Sequence, residues 1–121
     1  MEIDETAAER DASAAAEAWL ALVDAGEVEA SREATSTLFR RLVDGARWRE
    51  SFERVRSLFG RTLHRGLSDA RYTTSVPGAP DGEYVVMEYA AELERKKEAV
   101  ETVVAMRDED GAWRVGGYFV R

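Results

Sequence analysis

Carboxylates and tyrosines are the side chains of this chain best suited to chemistry. A carboxylate held among apolar groups has a raised pKa and can serve as a general base. An isomerase-like or hydrolase-like enzyme could pair such an acid with a tyrosine. The candidates here are Asp24, at the end of the first predicted helix, with Tyr72 or Tyr89. The alternative for Asp24, which we favour, is a local capping or turn acid.

Other reaction types find little support in the composition. The chain has no cysteine and a single histidine, His64, which excludes thiolate nucleophiles and disulfides and leaves too few ligands for a standard zinc site. The acidic segment 108–111 lacks the spaced ligands of a calcium loop, and no helix follows Gly116-Gly117 to form a phosphate loop. This glycine pair instead predicts a bulge or the close approach of an aromatic ring. We therefore expect no cofactor and no metal.

Charge is unevenly distributed along the chain. The net charge of −7 argues against nucleic acid or an anionic membrane as a partner. Residues 40–71, however, carry nine arginines and only four acids. One interpretation is an anion-binding face containing Arg54, Arg61 and Arg65, and the other is a basic helix packed beside acidic neighbours. We favour the second.

Length and hydropathy predict one soluble domain over residues 1–121. No linker, repeat or membrane-length apolar run interrupts the 121 residues, and the first residues are acidic where a secretory signal would be basic. As written, the chain is therefore expected to be untargeted, with no membrane insertion. If an export signal has been removed from the chain, the protein is periplasmic or secreted, so its localisation stays open.

Helical periodicity dominates the first half. Apolar residues recur at helical spacing over about 5–25, 27–43 and 47–64, and glycines at 26 and 45 punctuate the ends. The third segment is the clearest, with Trp48, Phe52, Phe59 and Leu63 on one side. The apolar faces of three amphipathic helices have to be buried, and packing on one face of a β-sheet would bury them.

Strand patterns fill the second half, over about 67–76, 83–94, 98–107 and 112–120, separated by turn sequences. Helices followed by an antiparallel meander predict an α+β domain with the helices on one face of a four-stranded sheet. Alternation assigns the core face of the sheet to these residues: Val85, Met87, Tyr89, Ala91, Leu93, Val100, Thr102, Val104, Met106, Trp113, Val115 and Phe119. No carboxylate is among them, and Glu88, Glu92 and Glu101 are expected on the outer face.

The outer face carries more apolar residues than a solvated face needs. Its apolar members include Tyr84, Val86, Val103, Ala105 and Tyr118. This pattern predicts a homodimer that pairs sheet to sheet. The alternative is that a long N-terminal helix or another partner covers the face.

Two segments resemble a bacterial family of unknown function, domain of unknown function 4019. They are Tyr72 to Val86 (YTTSVPGAPDGEYVV) and Gly111 to Phe119 (GAWRVGGYF). Ala18 to Gly26 and Glu101-Thr102-Val103 also resemble the family, so the likeness covers nearly all of the chain and is looser only in the second predicted helix. The resemblance implies a small cystatin-like α+β domain, related in shape to nuclear transport factor two and ketosteroid isomerase. Many members of that family carry export signals. No activity is established for the family, so the resemblance implies a fold and no function.

Taken together, these patterns favour a non-catalytic module that binds a small apolar molecule or a protein partner, in or beside the concavity between helices and sheet. One alternative is the acid and tyrosine enzyme. The other is an interaction protein that meets an anionic partner through the arginine-rich third helix.

Overall fold

A computed structural model describes residues 4–121, in which four helices precede four strands. The helices are α1 (Glu5–Asp24), α2 (Val28–Glu33), α3 (Thr37–Leu42) and α4 (Gly45–Phe59), and the strands are β1 (Thr62–Thr73), β2 (Tyr84–Leu93), β3 (Lys96–Arg107) and β4 (Trp113–Val120). The strands form one antiparallel sheet in the order β1-β2-β3-β4. This confirms the predicted α+β meander. The likeness to cystatin and nuclear transport factor two stays a prediction.

Helix α1 packs across the sheet and closes most of the core. The Asp4 carboxylate caps its start by accepting a hydrogen bond from the Ala7 amide. Its buried residues lie on one stripe, and small alanines in that stripe let the helix approach the strands closely. They are Ala8, Ala12, Ala16, Trp19 and Leu20. None of the helices in residues 4–121 combines the length and apolar character needed to cross a bilayer.

The predicted second helix, 27–43, is wrong as a single element. It is divided between α2 and α3, and the connecting residues Thr35 and Ser36 are fully buried against β4. The Ser36 amide donates to the Val115 carbonyl, and its hydroxyl accepts from the Phe39 amide to start α3. Tertiary hydrogen bonds thus replace the helical ones at the break.

Helix α4 ends five residues earlier than predicted. Gly60 adopts φ 74°, a left-handed value that stops the helix after Phe59. Strand β1 then begins at Thr62 rather than Leu67, so His64 lies exposed on a strand and not at a helix end.

The core face of β3 is the opposite of the one predicted. Strand pairing sets Tyr89 opposite Glu101 and Met87 opposite Val103, and residues directly opposite each other share a face. Ala99, Glu101, Val103 and Ala105 are accordingly buried beneath the helices, whereas Val100, Thr102, Val104 and Met106 face outward. The prediction was wrong because both faces of β3 are apolar, so the alternation of apolar and polar residues does not indicate which face is buried.

Strand β4 changes face at a β-bulge. Val104 pairs with Gly117 and Ala105 with Val115, which leaves Gly116 as the extra residue. Beyond the bulge Tyr118 turns inward, and Phe119, predicted in the core, is 64% exposed. A Cβ at Gly116 would lie 3.1 Å from the Met106 sulfur, so the site suits glycine. The bulge expected at the glycine pair is confirmed.

Aromatic rings fill the space between helices and sheet. The Trp19 ring lies 5.2 Å from Tyr118 and 5.9 Å from Trp48, and Trp48 meets Phe52 edge to face. Both indole N–H groups donate to buried oxygens of Ser31, Trp19 to its carbonyl and Trp48 to its hydroxyl. Helix α2 is therefore fixed to the core by hydrogen bonds as well as by contact.

Candidate functional site

A buried carboxylate lies in the core, where the sequence predicted none. Glu101 of β3 is 1% exposed. Its Oε1 accepts from Arg65 Nε at 2.6 Å, and its Oε2 accepts from Arg65 Nη2 at 3.0 Å and from the Tyr118 hydroxyl. These distances describe a bidentate, charge-assisted pair. The prediction that Glu101 faces outward was wrong because it depended on the inverted face of β3.

Arg65 also joins the sheet to the end of α1. Its Nη1 and Nη2 lie 2.8 and 3.1 Å from the two oxygens of Asp24. Burial lowers the pKa of the Arg65 guanidinium, but hydrogen bonds to Glu101 and Asp24 outweigh that effect and raise it overall. Asp24 is thus an ion-pair partner of Arg65, and its carboxylate is committed to that pair.

The cluster of Asp24, Arg65, Glu101 and Tyr118 is poorly arranged for acid–base chemistry. Three of the roughly four lone-pair sites of the Glu101 carboxylate already accept hydrogen bonds from a cation or a hydroxyl, and the side chain is 1% exposed, so little capacity is left to take a proton from a substrate. Burial, and then the charge of Glu101, raise the pKa of Tyr118 well above its usual range. The tyrosine therefore stays protonated and donates to Glu101.

The other two catalytic candidates lie apart from each other. Tyr89 is 2% exposed in the core, where burial and then the charge of Glu17 raise its pKa to about 12. Among the described residues 4–121, its hydroxyl has only the Met87 sulfur as a partner, at 3.9 Å. Tyr72 lies near the end of β1, where partial burial and then Glu83 raise its pKa, and its hydroxyl is 3.4 Å from that carboxylate.

The three arginines of the predicted anion patch do not converge. Arg54 on α4 pairs with Glu50, and Arg61, after the helix, pairs with Glu94. Arg65 is inward-facing and bound to two acids. Each of these three guanidinium groups is paired with a carboxylate.

A small opening remains between helices and sheet. It encloses about 110 Å³, lies between the end of α1, α4 and the ends of β1 and β2, and includes Asp24, Phe52 and Tyr118 in its lining. Pockets for drug-sized ligands usually measure roughly 300–1,000 Å³. The aromatic part of the interior is therefore a packed core with a shallow opening.

The larger apolar hollow lies on the other side of the sheet. It is a groove of about 630 Å³ that crosses the outer face from β1 to β4, with α3 along one side and the loop between β1 and β2 along the other. Its floor includes Val86, Val104 and Gly117, and exposed Phe119 and Leu42 border it. We call this hollow the outer groove.

Glycine and an ordered loop shape the outer groove. Gly117 exposes backbone where a side chain would otherwise project into the groove. The loop between β1 and β2 covers Tyr84, which is 3% exposed on the outer face and donates its hydroxyl to the Pro80 carbonyl. The Gly82 amide also donates to the Thr74 carbonyl at 3.0 Å, which closes the base of the loop.

The predicted dimer face is partly wrong in its members. Tyr84 and Val86 do lie on the outer face. Val103 and Ala105, however, are fully buried in the core, and Tyr118 turns inward to Glu101. Val104 and Phe119 take their places as apolar outer residues. Dimerisation itself stays a prediction.

Comparison with known families covers most of the chain. Residues 15–118 match the family model described as protein of unknown function (DUF4019). The chain belongs to this family. No curated protein and no solved structure matches it. Within residues 4–121, no cluster of three or more histidine or acidic side chains in this DUF4019 domain could hold a metal ion.

Sequence reasoning missed the two features that matter most at the sites. Glu101 could have been suspected from its position between Val100 and Val103 in an apolar strand, where a lone acid needs a buried partner. The outer groove of the DUF4019 domain had a weaker signal, the pair Gly116-Gly117 inside a strand.

Proposed function

We propose that this DUF4019 domain is a non-catalytic binding module and that the outer groove is its binding site. The observation that carries the proposal is a groove of about 630 Å³ with a mainly apolar lining. Its volume lies in the range of small-molecule sites, and contiguous exposed apolar surface of this kind marks interaction sites. The occupant is an apolar small molecule or the apolar part of a larger partner.

An acid and tyrosine enzyme is the second candidate, favoured by the burial of Glu101 beside Tyr118. The Arg65 ion pair weighs against it, since a carboxylate held by a guanidinium is a poor base. The nearby opening of about 110 Å³ also leaves little room for a substrate. These two observations support binding over catalysis.

A titration with a neutral apolar probe tests the proposal. We expect 1-decanol to shift the backbone amide resonances of Gly117 and Phe119 in a saturable way. Gly117→Val, which fills the groove, should weaken this binding at least about tenfold. Its Cβ would meet Phe119 and Val104 at 3.5 and 3.6 Å, ordinary contact distances, so the fold should tolerate it.

Gly66→Val is the matched control. Gly66 also lies on an outward position of the sheet, in β1 and outside the outer groove, and a Cβ added there would have no heavy atom within 4 Å. Its valine variant should therefore bind 1-decanol as the parent protein does. Shifts confined to residues around Phe52 and Val55, which line the interior opening and not the outer groove, would place the probe in that opening and reject the outer groove as the site.

A further inference from the structure

Within residues 4–121, the outer groove has a single charged residue in its lining. That residue is Arg71 of β1, which is exposed and lies directly opposite Val86. No carboxylate in the same described range lies within ion-pair distance of its guanidinium, and no carboxylate lines the groove. In a chain of net charge −7, most other arginines on the sheet are paired with acids.

Hydroxyl groups accompany this arginine at the same end of the groove. Thr73 and Ser75 follow Arg71 along the chain and also line the groove. The Thr73 hydroxyl accepts from the Ser75 amide at 3.4 Å and donates to the Ser75 carbonyl at 3.1 Å, which fixes the turn out of β1. One end of the groove thus offers a guanidinium beside small polar groups.

The opposite end is apolar. Across the width of the sheet, roughly 14 Å from β1 to β4 at the usual strand spacing, the groove reaches Phe119 of β4 and then Leu38 and Leu42 of α3. A cation at one end and alkyl and aromatic groups at the other match a molecule with the same polarity along its length.

We propose that the outer groove binds a small amphipathic carboxylate, with its head group at Arg71 and its alkyl or aryl body along the floor toward α3. This inference rests on the proposed function, since it names the ligand class of the same site. Charge complementarity selects the anion because Arg71 has no competing carboxylate in the groove lining that the structure describes. A guanidinium fits a carboxylate through two parallel hydrogen bonds.

Decanoate, kept below its critical micelle concentration, is the probe that tests binding of the carboxylate head group. 1-Decanol has the same alkyl chain without the carboxylate, and acetate has the carboxylate without the long chain. We expect decanoate to bind more tightly than 1-decanol and acetate to bind too weakly to measure. Each methylene group added between octanoate and decanoate should lower the Kd by up to about fourfold, because it buries further apolar surface. Salt should weaken decanoate binding and leave 1-decanol binding unchanged.

Arg71→Gln should weaken decanoate binding about tenfold or more, the loss expected for charge-assisted hydrogen bonds, while 1-decanol binds as before. Arg47→Gln is the matched control. Arg47 is exposed on α4 and does not line the groove, and within residues 4–121 its side chain makes no ion pair. It therefore removes the same charge without removing the proposed contact.

Three outcomes would overturn the proposal. Equal affinity for decanoate and 1-decanol, unchanged by Arg71→Gln, would reject the anionic ligand and leave the binding module intact. Failure of both probes to bind would reject both proposals. Tighter binding of a short peptide with a free apolar C-terminal residue, lost in Arg71→Gln, would reassign the groove to a protein terminus.

Discussion

At the scale of single residues, Glu101 shows how the core accommodates an acid. Arg65 satisfies it with two hydrogen bonds, and Tyr118 adds a third. Buried ion pairs of this kind contribute little net stability, because desolvation offsets much of the attraction. Removal of one partner is a different matter, since the other is then left as a buried, uncompensated charge.

Glu101→Gln should therefore destabilise the domain by about 3 kcal/mol. The value belongs at the low end of the range for broken buried pairs because Asp24 still holds Arg65. Urea denaturation followed by far-ultraviolet circular dichroism measures the change. Glu92→Gln, exposed on β2, is the control and should change the free energy of unfolding by less than about 0.5 kcal/mol. A similarly small effect in Glu101→Gln would show that the cluster is not fixed as described.

At the scale of elements, Asp108 determines where α3 lies beside the outer groove. Its Oδ2 accepts from the Thr37 amide at 3.0 Å and the Thr37 hydroxyl at 3.1 Å, and Arg114 lies 3.0 Å away. Burial raises the pKa of this carboxyl, but the hydrogen bonds outweigh burial and lower it overall. The turn between β3 and β4 thereby holds the start of α3.

Asp108→Asn should destabilise the domain by about 2 kcal/mol near neutral pH, the range for hydrogen bonds to a charged group. Because the folded-state pKa is lowered, the stabilisation is present above the unfolded pKa of about 3.9 and is lost as pH falls through the folded value. The difference between parent and variant should therefore shrink in acid. Urea denaturation between pH 7 and pH 3 measures it, with exposed Asp81→Asn as control. A difference independent of pH would contradict an ionic role.

At the scale of the whole molecule, the outer face is the surface most suited to self-association. The prediction of a sheet-to-sheet homodimer came from the apolar content of the outer face. In the structure the apolar residues of that face include Val86, Val104 and Phe119. These residues border the same groove that is proposed to take a ligand. A second copy and a ligand would therefore compete for the face.

We expect the ligand-free protein to show twice its chain mass of 13.5 kDa at micromolar concentration in light scattering. Decanoate should lower that mass toward the monomer. Phe119→Asp should do the same without ligand, because a charge buried between two sheets is unfavourable. His64→Asp places the same charge on an outward position of β1 outside the groove and should keep the dimer. A monomeric parent protein would reject the dimer.

Local signals in the sequence were sufficient for the element types, the meander order and the layer of helices on one face. Helical spacing is unambiguous in α1 and α4, and turn residues mark the hairpins. Such signals can be read from one segment at a time, because periodicity and turn chemistry act within a few residues. The membership in the family was also readable from the loop between β1 and β2 and from β4.

Pairing between distant segments set which way the strands face and where the hollow lies. β3 is apolar on both sides, so its face depends on its register with Tyr89 and Met87, and the bulge at Gly116 reverses the last residues of β4. The register of β3 and the bulge in β4 together place Glu101 in the core, Phe119 at the surface and the groove on the outer face of the sheet. Both features are determined only in the folded chain, since one strand's own residues do not specify the register that it takes against its neighbours.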